Sequence, residues 1–231
     1  PCSGRLSGHH SEFVKKPNMP TTTTGPSLDH DRWRAGLDAL IDTIAPRFAR
    51  HDAARNAGAF LLSVLSAVET KNCWTMAELA GHSTPDRLQH LLSRAKWDAE
   101  EVREDLQHLV LDGLGTDQAV LVIDETGDLK KGTHTVGVQR QYTGTAGRIE
   151  NCQVAVYLTY ATRIGHALID RALYLPRSWT DDPARCAAAG VPDDIEFATK
   201  PRLAADLITR ARAAGVCADW VAGDEVYGDN P

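Results

Sequence analysis

Ala119-Val-Leu-Val-Ile-Asp-Glu-Thr-Gly127 is the stretch on which the fold turns. Val120–Ile123 is a continuous apolar run of strand length, suited to a strand buried on both faces. It closes on Asp124. A second segment, Trp220-Val-Ala-Gly-Asp-Glu-Val-Tyr-Gly228, repeats the pattern and closes on Asp224. Both aspartates read as carboxylates at the C-terminal end of a buried strand. Parallel neighbouring strands would bring them together, and open α/β sheets bind ligands at the C-terminal ends of their strands.

The sequence between them supplies the rest of a sheet. Thr135–Tyr142 alternates and is β-branched, and Cys152–Tyr160 and Ala167–Leu175 read as further strands. Gly144 and Gly147 give the turn of a meander. Residues 176–198 read as an irregular loop rich in Pro and Asp. Lys200–Ala214 reads as a helix with Leu203, Leu207 and Ile208 on one face, closed by Gly215. Ala218–Ala222 is the last strand. A helix crossing over to a strand beside the first makes the sheet mixed.

Upstream, from Asp29 to about Leu114, the grammar is helical. Trp33, Leu37, Leu40, Ile41 and Ile44 recur at three and four residues, and Pro46 interrupts them. A second helix carries Ala57, Phe60, Leu61, Val64, Leu65 and Val68. A short third lies around Met76–Ala80, stopped by Gly81. Ser83 or Thr84 caps a fourth, which carries Leu88, Leu91, Leu92 and Ala95. Asp98 caps a fifth, with Val102, Leu106, Leu109 and Val110 on its face. The expected organisation is a disordered leader over 1–27, a helical region over 28–115 and an α/β region over 116–231. The first methionine is Met19, so residues 1–18 read as a vector remnant, an upstream read-through or part of a longer parent. His9 and His10 are therefore not read as ligands.

The 231 residues are 42% apolar and 24% charged, which is ordinary for a globular protein. A net charge of −6 excludes a wholly basic nucleic-acid binder but not a local basic strip. The five cysteines are scattered, without the paired spacing of a zinc site, and suit buried thiols in a reducing compartment. No apolar stretch nears the roughly 20 residues of a membrane span, and no signal peptide opens the chain. The expected location is the cytoplasm.

Paired carboxylates on strand ends suit phosphoryl transfer by two divalent ions about 3.5–4 Å apart, since such ions take oxygen ligands. An aspartate after a strand equally well starts a turn. Lys130, Lys131, Arg140 and Arg148 follow Asp124 and suit contacts to a phosphate backbone, or else a solvated hairpin. Thr143–Arg148 lacks phosphate-loop spacing. Trp74–Trp97 has a helix-turn-helix rhythm, with Arg87, Arg94 and Lys96 on or beside its second helix, though simple packing gives the same rhythm. Trp179 reads as an anchor into the core. His134, Asp181 and Asp182 give no warrant for a ligand role.

Five segments carry a resemblance. They are Val122-Ile-Asp-Glu-Thr-Gly127, the long run Lys130–Gln153, Tyr174-Leu-Pro-Arg-Ser-Trp-Thr-Asp-Asp182, Phe197-Ala-Thr-Lys-Pro201 and Gly223-Asp-Glu-Val-Tyr-Gly228. Together they are similar to transposases of the insertion-sequence 701 family, within the DDE class. The resemblance covers about Leu28 to the end. It implies a mixed α/β architecture: an N-terminal helical region followed by a partial RNase H-like fold with a mixed β-sheet. Asp124 and Asp224 take the places of the first two catalytic acids and metal ligands, with two Mg²⁺ (or Mn²⁺) ions in the complete site. The third acid of that class is a glutamate from a downstream helix, absent from this chain, and Glu225 is a poor substitute. The implied partners are transposon-end and target DNA and further copies of the chain, with no membrane, in a bacterial cytoplasm at the nucleoid. The expectation is a truncated, inactive and marginally stable fragment. The alternatives are a haloacid-dehalogenase-like Mg-dependent phosphatase, against which Thr126 stands where a general acid is needed, and a non-catalytic DNA-binding fragment.

Overall fold

The computed structural model describes residues 29–228. The leader expected over 1–27 lies outside them. The chain divides into two compact units, one ending at Leu40 and the other beginning at Ile41. Helix α1, His30–Ile44, runs across that boundary. Pro46 sits in the 3₁₀ turn Ala45–Arg47 that ends it, as its missing N–H and fixed φ require.

Within the second unit, helices α2 (His51–Leu65), α3 (Cys73–Leu79), α4 (Asp86–Ser93) and α5 (Ala99–Leu114) come first. Asn72 caps α3 by accepting from the backbone N–H groups of Trp74 and Thr75. Asp98 caps α5 through Glu100 and Glu101, as expected. The fourth helix differs from expectation. Neither Ser83 nor Thr84 caps it; Pro85 is its N-cap residue, and Thr84 instead bonds to the Asp86 carboxylate. Met76, Ala77 and Leu88 form a small core under α3 and α4, with Phe60 of α2 against it. Phe48 stacks on Trp97 at 5.6 Å, and Arg47 grips the Asp105 carboxylate with two 2.8 Å bonds, so the start of α2 is tied to α5.

The sheet has strands β1 (Val120–Leu129), β2 (Gln139–Thr143), β3 (Arg148–Thr162), β4 (Gly165–Leu173) and β5 (Trp220–Ala222). Long β3 lies antiparallel to β1, β2 and β4, and β5 lies parallel to β1 on its other edge. The expected mixed sheet is therefore present. Strand β2 is shorter than its alternation predicts. Gly137 adopts φ +75° and lies so close to the Tyr174 carbonyl that an added Cβ would be 2.9 Å from it. The chain turns there, and pairing begins only at Gln139. Strand β1 is longer than its apolar run, because β3 pairs with it as far as Leu129.

One face of the sheet carries the core. Cys152, Val154, Val156, Leu158 and Tyr160 alternate inward along β3 and are fully buried. Helix α8 (Lys200–Ala213), capped by Thr199, lays Ala204, Leu207 and Ala211 on this face against Leu121 and Ile123. The loop expected over 176–198 contains two short helices, α6 (Arg177–Thr180) and α7 (Pro183–Ala188). Trp179 is anchored in the core as expected, its Nε1 donating to the Val138 carbonyl at 2.9 Å. The opposite face is not sealed among the described residues. Val120 and Val122 are half-buried there, while Leu168 and Trp220 are 60% and 72% exposed. The apolar run thus packs fully on one face only. Such a surface predicts strong binding of a hydrophobic dye by the folded chain.

A β-bulge between Leu158 and Thr159 lets Ile169 and Asp170 of β4 both turn inward. Gln107 of α5 donates to the Ile169 carbonyl at 3.0 Å. The Asp170 carboxylate accepts from Arg210 Nε and Nη2 at 2.8 and 2.9 Å, and Arg103 Nη1 stands 3.6 Å away. Helices α5 and α8 are joined through that one buried carboxylate.

Gly127 of β1 has no room for a side chain, since an added Cβ would stand 2.6 Å from Thr143 Cβ. Gly127→Ala is expected to lower stability by about 1–3 kcal/mol through overpacking. Gly113→Ala on α5, where an added Cβ meets nothing within 4 Å, is expected to raise it by about 0.4–1 kcal/mol. Urea denaturation midpoints check both.

Candidate active site

Asp124 lies within β1 rather than at its end, but the parallel ladder to β5 stops just before it. Val122 faces Ala222 in the last parallel pair, so Asp124 and Asp224 each lie two residues further along neighbouring chains. Both are exposed. Asp124 Oδ1 accepts from the Glu125 N–H at 2.8 Å. Asp224 Oδ1 accepts from the Val226 N–H at 3.1 Å and so opens the short helical turn α9, Glu225–Gly228. Among the described residues, neither Oδ2 has a hydrogen-bond partner. The negative charges of both aspartates act on the Tyr227 phenol. Each carboxylate thus keeps one oxygen without a hydrogen-bond partner among the described residues, a hard donor of the kind that divalent ions take. No group of three or more His, Cys, Asp or Glu positioned to hold a metal ion exists among the described residues.

Glu125 projects to the opposite side of β1, as the pleat requires. Its half-buried carboxylate accepts from Lys200 Nζ at 2.6 Å and from the Tyr227 hydroxyl. Burial pushes this carboxyl up, but the bonds from Lys200 and Tyr227 outweigh it and hold it below the ordinary glutamate value. Burial and the Glu125 carboxylate together push the Tyr227 phenol far up. The sequence carries a signal for this cluster, since Lys200 and Tyr227 lie in the segments Phe197–Pro201 and Gly223–Gly228 that carry the resemblance. A cavity of ≈ 350 Å³ runs between α8 and the β5–α9 turn, lined by Ile123, Ala204, Ile208, Val221, Asp224 and Tyr227.

The basic residues fall into two groups. Lys131 and Arg140 are exposed and pair with no carboxylate among the described residues, whereas Lys130 pairs with Asp128 and Arg148 with Glu150 at 2.9 Å. In the helical region Arg87 is exposed on α4. Arg94 and Lys96 line a cavity of ≈ 240 Å³ with Arg50 and His90. Glu225 is exposed, Asp182 caps α7 by accepting from the Arg185 N–H at 3.0 Å, and His134 is exposed in the loop before β2.

The sheet order, with a carboxylate beyond each of two parallel neighbours, is consistent with an RNase H-like DDE domain. Residues 43–231 match the family described as DDE superfamily endonuclease, and the chain belongs to that family. It is also similar to a probable transposase for insertion sequence element IS701 from Microchaete diplosiphon, with 32% identity over 168 residues. That match covers 72% of this chain and 41% of the relative, so the matched part spans less than half the length of that protein. No solved structure matches. Among the described residues, no helix is long and apolar enough to cross a membrane.

Proposed function

We propose that this chain carries two of the acids of a transposase that cuts and joins DNA at insertion-sequence ends. The parallel register of β1 and β5, which sets Asp124 and Asp224 beyond paired residues, is the observation that supports this reading most strongly. Asp124 and Asp224 would together hold divalent ions, Mg²⁺ or Mn²⁺. Such ions, when bound, activate the attacking oxygen and steady the leaving oxygen of a phosphodiester. The chain's own part is to hold both carboxylates on a rigid sheet and to seat the DNA backbone. Lys131 and Arg140, without carboxylate partners among the described residues, are the better backbone contacts, about 20 Å along the sheet from Asp124; Lys130 and Arg148 must first leave theirs. Arg87, Arg94 and Lys96 give the helical region over 28–115 its own DNA surface, with residues 116–231 as the catalytic region. The transposase would act as a homo-oligomer. Among the described residues no third acid joins Asp124 and Asp224, and on this reading residues 29–228 bind DNA without cutting it.

The phosphatase reading finds no favouring observation, because β1 is followed by antiparallel partners and position 126 is threonine. Gel shifts and plasmid cleavage in Mg²⁺ or Mn²⁺ test the proposal. Expected is DNA binding that weakens steeply with salt, stronger on terminal inverted repeats than on random DNA, without nicking. Absence of DNA binding together with turnover of a small phosphate ester would overturn it.

A further inference from the structure

We infer that Glu125, Lys200 and Tyr227 form a positioning clamp that fixes Asp224 against Asp124, an inference that rests on the metal-site reading above. Strand β5 is short, and its ladder to β1 ends at Val122 and Ala222. Beyond that point no backbone ladder holds Gly223 and Asp224 beside Asp124. The tie is made instead by side chains. Tyr227 N–H donates to the Asp224 carbonyl at 3.2 Å, and the Val226 N–H donates to the Asp224 carboxylate, so Asp224 and Tyr227 belong to one turn. The Tyr227 ring packs on the main core and lies under Gly223, where an added Cβ would stand 3.4 Å from Tyr227 Cβ. Its hydroxyl then reaches Glu125, the residue next to Asp124.

Lys200 completes the clamp from a third element. It is the first residue of α8, held by the Thr199 cap and the packing of that helix on the sheet. Its ammonium meets the other oxygen of Glu125 at 2.6 Å, both side chains being largely buried. One carboxylate thus joins β1, α8 and the β5–α9 turn. Adjacent residues of β1 divide the work: Asp124 faces the open side as a ligand, while Glu125 faces the core side and orients the turn bearing the second ligand. Outer contacts that orient metal ligands are worth about 10–100-fold in metal affinity.

The test is Mn²⁺ affinity, read by electron paramagnetic resonance, for the chain and for Tyr227→Phe, Glu125→Gln, Glu125→Ala, Lys200→Met and Asp124→Asn, with a melting curve for each. Tyr227→Phe is expected to weaken Mn²⁺ binding about tenfold while still melting cooperatively above the assay temperature. Glu125→Gln, which still accepts from Tyr227, is expected to lose less than Glu125→Ala. Lys200→Met gives the same readout should Tyr227→Phe fail to fold. If Asp124→Asn abolishes binding while Tyr227→Phe, Lys200→Met and Glu125→Ala leave it unchanged, the clamp is wrong and the metal site stands. Losses seen only in variants already unfolded at the assay temperature also overturn the clamp. If Asp124→Asn does not change Mn²⁺ binding, the metal-site reading fails and the clamp with it.

Discussion

Asp124→Asn and Asp224→Asn are each expected to weaken Mn²⁺ or Mg²⁺ binding by at least about 100-fold, beyond what outer contacts are worth, while the fold persists. Asparagine keeps the shape but removes the charge that a hard divalent ion needs. Both side chains are exposed, and their structural bonds are single acceptances from local N–H groups that an amide oxygen also makes. Isothermal titration with melting curves separates the two quantities. Equal metal affinity in the Asp224→Asn chain would mean that Asp224 merely opens a turn.

Asp170→Ala is expected to lower the stability of the fold. The carboxylate is fully buried and neutralises Arg210, with Arg103 only 7% exposed beside it. Burying charges is expensive, so the pair adds little in itself. Removing Asp170 strands the buried Nη1 of Arg103, but Arg103 keeps Glu100 and Glu104 and Arg210 is 44% exposed, so the cost is about 1–3 kcal/mol. Because Asp170 joins α5 and α8 to β4, the loss should appear as one cooperative transition at lower denaturant, not as local fraying. Asp170→Asn, which keeps the acceptor oxygen, should lose less. Equal stability in Asp170→Ala would show that α5 and α8 are held by the apolar contacts of Leu207, Ala211 and Leu114 alone.

The sequence was most legible where one period or one cap dominates. Asp98, Gly215 and the repeat of Leu203, Leu207 and Ile208 fix their helices, because few other conformations satisfy those groups. The two aspartates were legible for the same reason, as polar stops on short apolar runs. The extent of β1 was hidden because Asp124-Glu-Thr-Gly-Asp128 carries no strand period; its pairing comes from β3, and a partner strand is not a local property. The start of β2 was misplaced because Gly137 answers to the Tyr174 carbonyl, far away in sequence. The role of Glu125 is not legible beside Asp124, since it depends on Lys200 and Tyr227, which only the folded chain brings to it.

Asp124 and Asp224 are expected to converge on divalent metal. Anomalous scattering from a crystal soaked in Mn²⁺ tests it most directly. The predicted result is a peak at oxygen-ligand distance, about 2.0–2.6 Å, from carboxylate oxygens of both aspartates. A peak at one aspartate alone, or none at either in crystals that hold Mn²⁺ elsewhere, would contradict it.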